Sequence, residues 1–234
     1  MLQLWAAAAF FLGIHLLVAG SSARTKIVDV LGERAWLASF SVLSIAGISW
    51  LAYSFNEAVA GPNHLYWAAP GWAYHLSPLV ILVAALFAVI GVTTPNPTAV
   101  GAEALAEKPE TVKGILRITR HPFLWGATIW ALWHIFVNGD KASIIFFGTF
   151  ALLAMLGTFS IDDKKRKRLG DSWTGFAART SNLPFAAIFA GRNQLKIGEL
   201  GWWRILLALV IFGGLFYGHL WLFDVSPVPG FQPY

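Results

Sequence analysis

Residues 114–140 read GILRITRHPFLWGATIWALWHIFVNGD, and this stretch brings ionisable side chains into a strongly apolar segment. Arg117, Arg120 and His121 stand just before the apolar run, and His134 lies inside it. An ionisable side chain in a membrane span is energetically expensive and is by default a functional-site hypothesis. Histidine is also a common ligand for metals and for haem iron. The stretch therefore predicts a membrane helix whose histidines have a functional role.

The composition extends this prediction to the whole chain. Of its 234 residues, 57% are hydrophobic and 12% are charged, whereas a soluble domain carries about 25% charged residues. Apolar runs near the roughly 20 residues needed to cross a bilayer occur at 2–20, 35–55, 72–92, 122–137, 142–161 and 201–223. We expect an all-α, polytopic membrane helix bundle of about six transmembrane helices, forming a single integral membrane domain over residues 1–234.

The basic residues predict the orientation of this bundle. They are concentrated in the loops after the first, third and fifth spans, whereas the alternate loops contain only Lys141. The positive-inside rule then places both termini outside, in a multi-pass protein of the bacterial inner (cytoplasmic) membrane. The net charge of +5 lies on one face, where contact with the lipid bilayer explains it. No nucleic-acid-binding module is present, so we expect no nucleic-acid partner.

Two shorter segments carry their own predictions. In residues 162–180, Leu169, Trp173 and Phe176 recur at i, i+4 and i+7 among basic residues, which is typical of an amphipathic interfacial helix on the inner surface. The tripeptide 138–140 reads NGD, and its glycine can take the left-handed conformation that ends a helix. We therefore expect the fourth and fifth spans to form an antiparallel hairpin.

Histidines are the candidate ligands, because the chain has no cysteine and thiolate-ligated haem and cysteine-bound zinc are thereby excluded. Two histidines on facing helices can hold a planar haem between them. His121 and His134 are separated by about 20 Å along a straight helix, so they cannot share one iron. The position of each histidine along its span gives its depth in the membrane. By depth alone, His15 would lie level with His121, and His75 would lie level with His134 and His219. Tilted or shifted helices would instead bring His15 and His134 together.

The basic residues before Pro122 have two interpretations. Arg117, Arg120 and His121 suit interfacial anchoring, in which long basic side chains reach the membrane surface. They equally suit an anion site, because a guanidinium matches a carboxylate or phosphate. The anion would be a haem propionate or the carboxylate of a nucleoside cofactor.

Four segments of the chain resemble the NnrU family of bacterial membrane proteins and the related zeta-carotene isomerases. They are FFLGIHLLVAGSSAR (residues 10–24), RITRHPFLWG with IWALWHIFVNGD (117–140), DDKKRKRLGDSW (162–173) and RTSNLPFAAIFAGR (179–192). The resemblance implies a haem b held by histidine, with His15 and His134 matching the axial ligands of the isomerases. His121 matches the histidine of the family's RHP motif. One isomerase histidine has no counterpart, because Asn56 stands in its place.

The resemblance implies three functions, which the residues alone leave open. The isomerase branch converts the central 15-cis double bond of zeta-carotene to trans at haem, so His134 and His15 would be catalytic and His75, His121, Arg117 and Arg120 would assist cofactor binding. The NnrU branch is associated with nitrite and nitric oxide reduction, which implies an accessory or redox haem protein with a redox partner or membrane complex. A more distant likeness, to isoprenylcysteine carboxyl methyltransferases, implies binding of S-adenosylmethionine.

Overall fold

The computed structural model describes residues 1–229, which are helical without an extended strand; an isolated bridge joins Leu65 and Asp140. The long helices are α1 (Leu2–Leu12, continued as a π-helix over Gly13–Ala19), α3 (Glu33–Ala60), α4 (Gly71–Thr93), α6 (Pro122–Asn138), α7 (Lys141–Leu169) and α10 (Trp202–Phe223). Shorter helices are α2 (Ala23–Leu31), α5 (Ile115–Ile118), α8 (Asp171–Arg179) and α9 (Ala186–Phe189). The predicted all-α fold is confirmed.

Membrane spans occur where the sequence predicts them. Among the described residues, five helices are long and apolar enough to cross a membrane: Leu2–Ala19, Glu33–Ala60, Gly71–Thr93, Lys141–Leu169 and Trp202–Phe223. The remaining predicted span forms α6, whose 17 residues are at the short end of the spanning range. The protein is therefore a helical membrane protein. The identity of the membrane and the outside location of both termini stay predictions.

Two features of the helices differ from the sequence-based expectation. The fifth span does not end near residue 161, because α7 continues through the good helix formers of the basic run to Leu169. Gly170 then adopts φ 52 and separates α7 from α8. The amphipathic segment is thus confined to α8, and its Trp173 and Phe176 are buried against Ala106 and Val112 of the chain itself.

The described chain divides into two compact units, one formed by Met1–Ala69 with His134–Leu153 and the other by Pro70–Trp133 with residues 154–229. Both α6 and α7 pass from one unit to the other. Whether the units act as one domain over residues 1–234 stays a prediction.

The core of the first unit is formed by α1, α3 and α7. Leu4 and Phe11 of α1 are buried in one cluster with Leu51 of α3 and Ile145 of α7. A Cβ atom added at Gly47 would lie 3.1 Å from the Phe10 ring, so the glycine permits this close packing of α1 on α3. The result is a densely packed apolar frame around the middle of α1.

In the second unit, α4 packs closely against α6 and also contacts α10. A Cβ atom added at Gly126 would lie 2.7 Å from the Ala84 carbonyl oxygen, and one added at Gly91 would lie 2.7 Å from the Phe123 nitrogen. Gly126 thus permits close helix packing, as small residues commonly do in membrane proteins.

The turn between α6 and α7 is held by the loop after α3. Gly139 adopts φ 69, and its carbonyl accepts a hydrogen bond from the Tyr66 amide at 2.8 Å. Asp140 accepts hydrogen bonds from the Ser143 amide at 2.9 Å and the Asn63 side chain at 2.7 Å. The NGD sequence therefore forms the expected tight turn, and Asp140 caps the first turn of α7.

Candidate functional site

His15 and His134 both belong to the first unit, and phenylalanine rings connect them. His15 lies 4.4 Å from Phe11 between ring centroids, and His134 stacks on Phe147 at 4.6 Å with an interplanar angle of 24°. Two further rings link these pairs: Phe150 lies 5.9 Å from Phe11, and Phe146 lies 5.2 Å from Phe150 and 5.1 Å from Phe147. The two histidines thus lie on one aromatic cluster, consisting of Phe11, Phe146, Phe147 and Phe150.

The hydrogen bond of His15 determines which of its nitrogens can bind a metal. Its Nδ1 donates to the Phe11 carbonyl oxygen at 2.8 Å, since a carbonyl can only accept. In the neutral ring the lone pair is therefore on Nε2, the arrangement that metal-binding histidines use. Phe40 contacts the same imidazole edge-on at 5.1 Å. His15 is thus an oriented imidazole in apolar surroundings, and its Nε2 has no hydrogen bond among the described residues.

A π-helix carries His15. The segment Gly13–Ala19 has π-helical rather than α-helical hydrogen bonding, and such segments are rare and frequently occur at functional sites. Apart from the glycine at its start, no residue pattern predicts this π-helix. Both His15 and His134 are half-buried, so each side chain retains an accessible surface.

The second unit contains a separate polar cluster at the carboxylate of Asp162. Arg120 donates to Asp162 from Nε at 2.9 Å, His121 Nε2 donates at 2.7 Å, and the Asn182 side chain donates at 3.2 Å. Asp162 and His121 are 5% and 2% exposed, so this network is almost completely removed from solvent. We refer to Arg120, His121, Asp162 and Asn182 as the Asp162 cluster.

Local backbone pairing explains how the Asp162 cluster is assembled. The Arg120 amide donates to the Ser181 carbonyl at 2.9 Å, and the Phe185 amide donates to the Ile118 carbonyl at 2.8 Å. These bonds align the segment before α6 with the segment after α8. The Asn96 side chain donates to the Arg120 carbonyl at 2.9 Å, which adds the end of α4 to the same assembly.

Burial lowers the pKa of His121 below its ordinary value, although the hydrogen bond and charge of Asp162 oppose the shift. The imidazole is therefore neutral at pH 7, and it donates its Nε2–H to Asp162. The cation that balances the Asp162 carboxylate is Arg120, whose guanidinium forms an ion pair with it. The cluster is consequently neutral as a whole.

Arg117 forms a second ion pair nearby in the same unit. Its Nε and Nη2 donate to the two carboxylate oxygens of Glu199 at 2.7 and 3.0 Å, and its Nη1 donates to Asn193 at 2.8 Å. The hydrogen bond from Arg117 lowers the pKa of Glu199 to about 2. Both arginines of the predicted anion site are thus engaged by carboxylates of the chain, and an external anion would have to compete with them. Their cofactor-binding role stays a prediction.

The remaining histidines are placed as follows. His121 contacts Asp162, His75 is exposed on the first turns of α4, and His219 donates from Nδ1 to the Val225 carbonyl at 2.7 Å. His64 is exposed and contacts the Tyr66 ring at 4.6 Å. Within residues 1–229, no three His, Cys, Asp or Glu side chains form a metal-binding group. A haem held by two histidines requires no such group.

Comparison with known proteins identifies the family of the chain. Residues 3–227 match the family described as NnrU protein. The chain belongs to the NnrU family. It is 32% identical over 173 residues to the 15-cis-zeta-carotene isomerase, chloroplastic, of Arabidopsis thaliana, covering 71% of this chain and 45% of that protein. The Zea mays protein of the same name is 26% identical over 189 residues, covering 75% and 48%.

This NnrU-family chain spans about half the length of the curated relatives that it matches. No solved structure matches it. The family resemblance derived from the sequence motifs is therefore confirmed, whereas the activity of this member has to be argued from its own residues.

Proposed function

We propose that this NnrU-family protein is a haem b-binding membrane isomerase that converts a cis double bond of a long apolar polyene, of the carotenoid class, to trans. The observation that carries the proposal is the placement of His15 and His134 on one aromatic cluster, with Nε2 of His15 free to bind iron. The names of its relatives support the substrate class.

The donor chemistry of His15 and His134 fits a haem b. Its iron takes imidazole nitrogens as axial ligands, and His15 offers such a nitrogen with the tautomer already set by the Phe11 carbonyl. His134 is the second candidate axial ligand. Phenylalanine rings contact both imidazoles, and an aromatic environment suits an apolar macrocycle.

The residues of the chain would position the substrate and exclude water. A bound haem iron would supply a centre that transiently lowers the order of the conjugated double bond, with no net oxidation or reduction. The aromatic cluster offers ring faces against which a rigid polyene can pack. The exposed surfaces of the long helices are apolar, so a substrate dissolved in the lipid would reach the protein without crossing water.

Absorption spectroscopy of the purified protein tests the haem assignment. The full-length chain is expressed with added haem precursor, and its reduced-minus-oxidised spectrum is recorded beside those of His15→Ala, His134→Ala and the exposed control His64→Ala. We expect a bis-histidine Soret band in the wild type and His64→Ala, and its loss or shift in the other two variants. The absence of any Soret band in the wild-type protein would contradict the haem proposal.

Pigment chromatography tests the isomerase assignment separately. Bacteria that accumulate 15-cis-zeta-carotene are grown with and without the haem-loaded protein, and the isomers are separated. We expect the 15-cis form to fall in the presence of the wild type but not of His15→Ala. An unchanged isomer profile, together with a Soret band that responds to nitric oxide, would instead favour a redox or accessory role in nitrite and nitric oxide reduction.

A further inference from the structure

Arg204, in the first turn of α10, is a cation without an acidic partner among the described residues. All twelve acidic side chains of the chain lie within the described residues, and none of them forms an ion pair with Arg204. Within residues 1–229 its Nε is buried and has no hydrogen-bond partner. An unpaired, partly desolvated guanidinium is costly, so an anion bound there would stabilise the protein.

The surroundings of Arg204 form a receptive surface for an anion. The guanidinium carbon lies 4.8 Å from the centroid of the Trp203 ring. Its Nη1 lies 3.0 Å from the position that a Cβ atom on Gly201 would occupy, so the side chain folds back over the start of the helix. Gly201 is the N-cap of α10 and offers no side-chain hydrogen bond. The first backbone amides of a helix lack partners within it, and they favour negative charge.

The acidic residue closest in sequence before α10 does not neutralise Arg204. Both carboxylate oxygens of Glu199 accept hydrogen bonds from Arg117, through its Nε and Nη2, and Lys196 lies 3.9 Å from the same carboxylate. The turn that leads into α10 therefore has more cationic than anionic groups.

The neighbouring side chains indicate a lipid rather than a soluble anion. Trp202 and Trp203 are 77% and 44% exposed, and tryptophan concentrates at the level of lipid headgroups. Beyond them α10 is an apolar span in which Ala208 is the buried residue, so the faces of the helix that do not contact α4 present apolar side chains to acyl chains. In a phospholipid, the phosphate would pair with Arg204 while the hydrocarbon chains contact the apolar side chains of α10.

We propose that Arg204, the open amides at the start of α10 and the Trp203 indole bind the phosphate of an anionic phospholipid. The bound lipid would hold the first turn of a helix that has few buried residues of its own. This site does not depend on the proposed isomerase activity or on haem.

Native mass spectrometry of the full-length protein in detergent tests the site. Dioleoyl phosphatidylglycerol is titrated against the wild type, Arg204→Gln and a control, Arg166→Gln, which removes one exposed cation from α7. Losing charge-assisted hydrogen bonds to a phosphate should weaken half-saturation about tenfold in Arg204→Gln. Arg166→Gln should change it less than about twofold. If Arg204→Gln cannot be purified, Arg204→Lys keeps the charge, loses the planar fork, and should bind about threefold more weakly.

Four results would overturn the proposal. The first is equal phosphatidylglycerol binding by the wild type and the available Arg204 variant. The second is an equal loss in Arg166→Gln, which would show general charge attraction. The third is equally tight binding of dioleoyl phosphatidylcholine, and the fourth is displacement of the lipid by inorganic phosphate at the same concentration.

Discussion

Replacing Asp162 by asparagine should strongly destabilise the protein, because this side chain is the acceptor that holds the Asp162 cluster together. The substitution keeps the shape of the side chain but removes its charge. It leaves the guanidinium of Arg120, whose side chain is 12% exposed, without a compensating anion. It also replaces one acceptor oxygen by an amide donor, which faces either Arg120 or His121.

The magnitude follows from the burial of the pair. Removing one partner of a buried ion pair costs about 3–5 kcal/mol, since the other charge stays desolvated. For a chain of this length, each kcal/mol lowers the unfolding midpoint by about 2–4 °C. Asp162→Asn should therefore lower the midpoint by about 6–20 °C.

Thermal unfolding in detergent, followed by tryptophan fluorescence, measures this change. The neighbouring Asp163→Asn is the matched control, because Asp163 pairs with Lys167 at 2.6 Å while both side chains remain 50% and 75% exposed. An exposed pair contributes about 0–1 kcal/mol, so the control should unfold close to the wild type. Equal midpoints for Asp162→Asn and Asp163→Asn would refute the reasoning. A double variant with Arg120→Gln should lose less than the sum of the two single changes.

Three other predictions concern separate parts of the chain. Because the pKa of Glu199 falls from 4.5 to about 2 on folding, its ion pair stabilises the protein above pH 4.5. The difference in unfolding midpoint between the wild type and Glu199→Gln should therefore close as the pH falls from 4.5 towards 2. A difference that stays constant over this pH range would contradict the prediction. Gly139→Ala should cost several kcal/mol, because the φ of Gly139 is 69 and the new Cβ would overlap the Trp67 carbonyl oxygen. The control Gly148→Ala has open space around the new Cβ and should be neutral or stabilising in the same assay. Ser54→Ala should raise the free energy of unfolding by about 1 kcal/mol, because the Ser54 hydroxyl is buried without a hydrogen-bond partner within residues 1–229. Ser77→Ala should lower the free energy of unfolding, because it removes the hydroxyl that accepts from Trp133 Nε1 at 2.8 Å.

The helices were predictable from local sequence, because a membrane span needs only length and apolarity. Their ends were predictable where a residue disrupts or redirects the backbone, as at Gly139. The end of α7 was not predictable, because a basic run continues a helix as readily as it ends one. Gly170 lies nine residues beyond residue 161, where the apolar run ends. The π-helix around His15 depends on hydrogen-bond register, for which composition gives no pattern.

The candidate sites were only partly predictable for a related reason. Sequence identified His15 and His134, because histidine is unusual in an apolar segment. The phenylalanines between them looked like ordinary lipid-facing residues, and their spacing did not reveal which rings would meet. Asp162 had a local signal, an acidic residue at the end of an apolar run, but its partner Arg120 is distant along the chain. Such pairings depend on tertiary packing, and the local sequence around either residue does not indicate its partner.

Hydrogen bonding separates the role of His121, in the Asp162 cluster, from the role of His15, on the aromatic cluster. In the Asp162 cluster the single negative charge is balanced by Arg120, and His121 is neutral with its Nε2–H committed to the carboxylate. That nitrogen cannot bind a metal while the hydrogen bond persists. His15 is the opposite case, because its Nδ1–H is committed to a backbone carbonyl and leaves Nε2 available. The hydrogen-bonding of the two imidazoles therefore favours His15 as an iron ligand and His121 as a structural link, although sequence alone presented both as candidates.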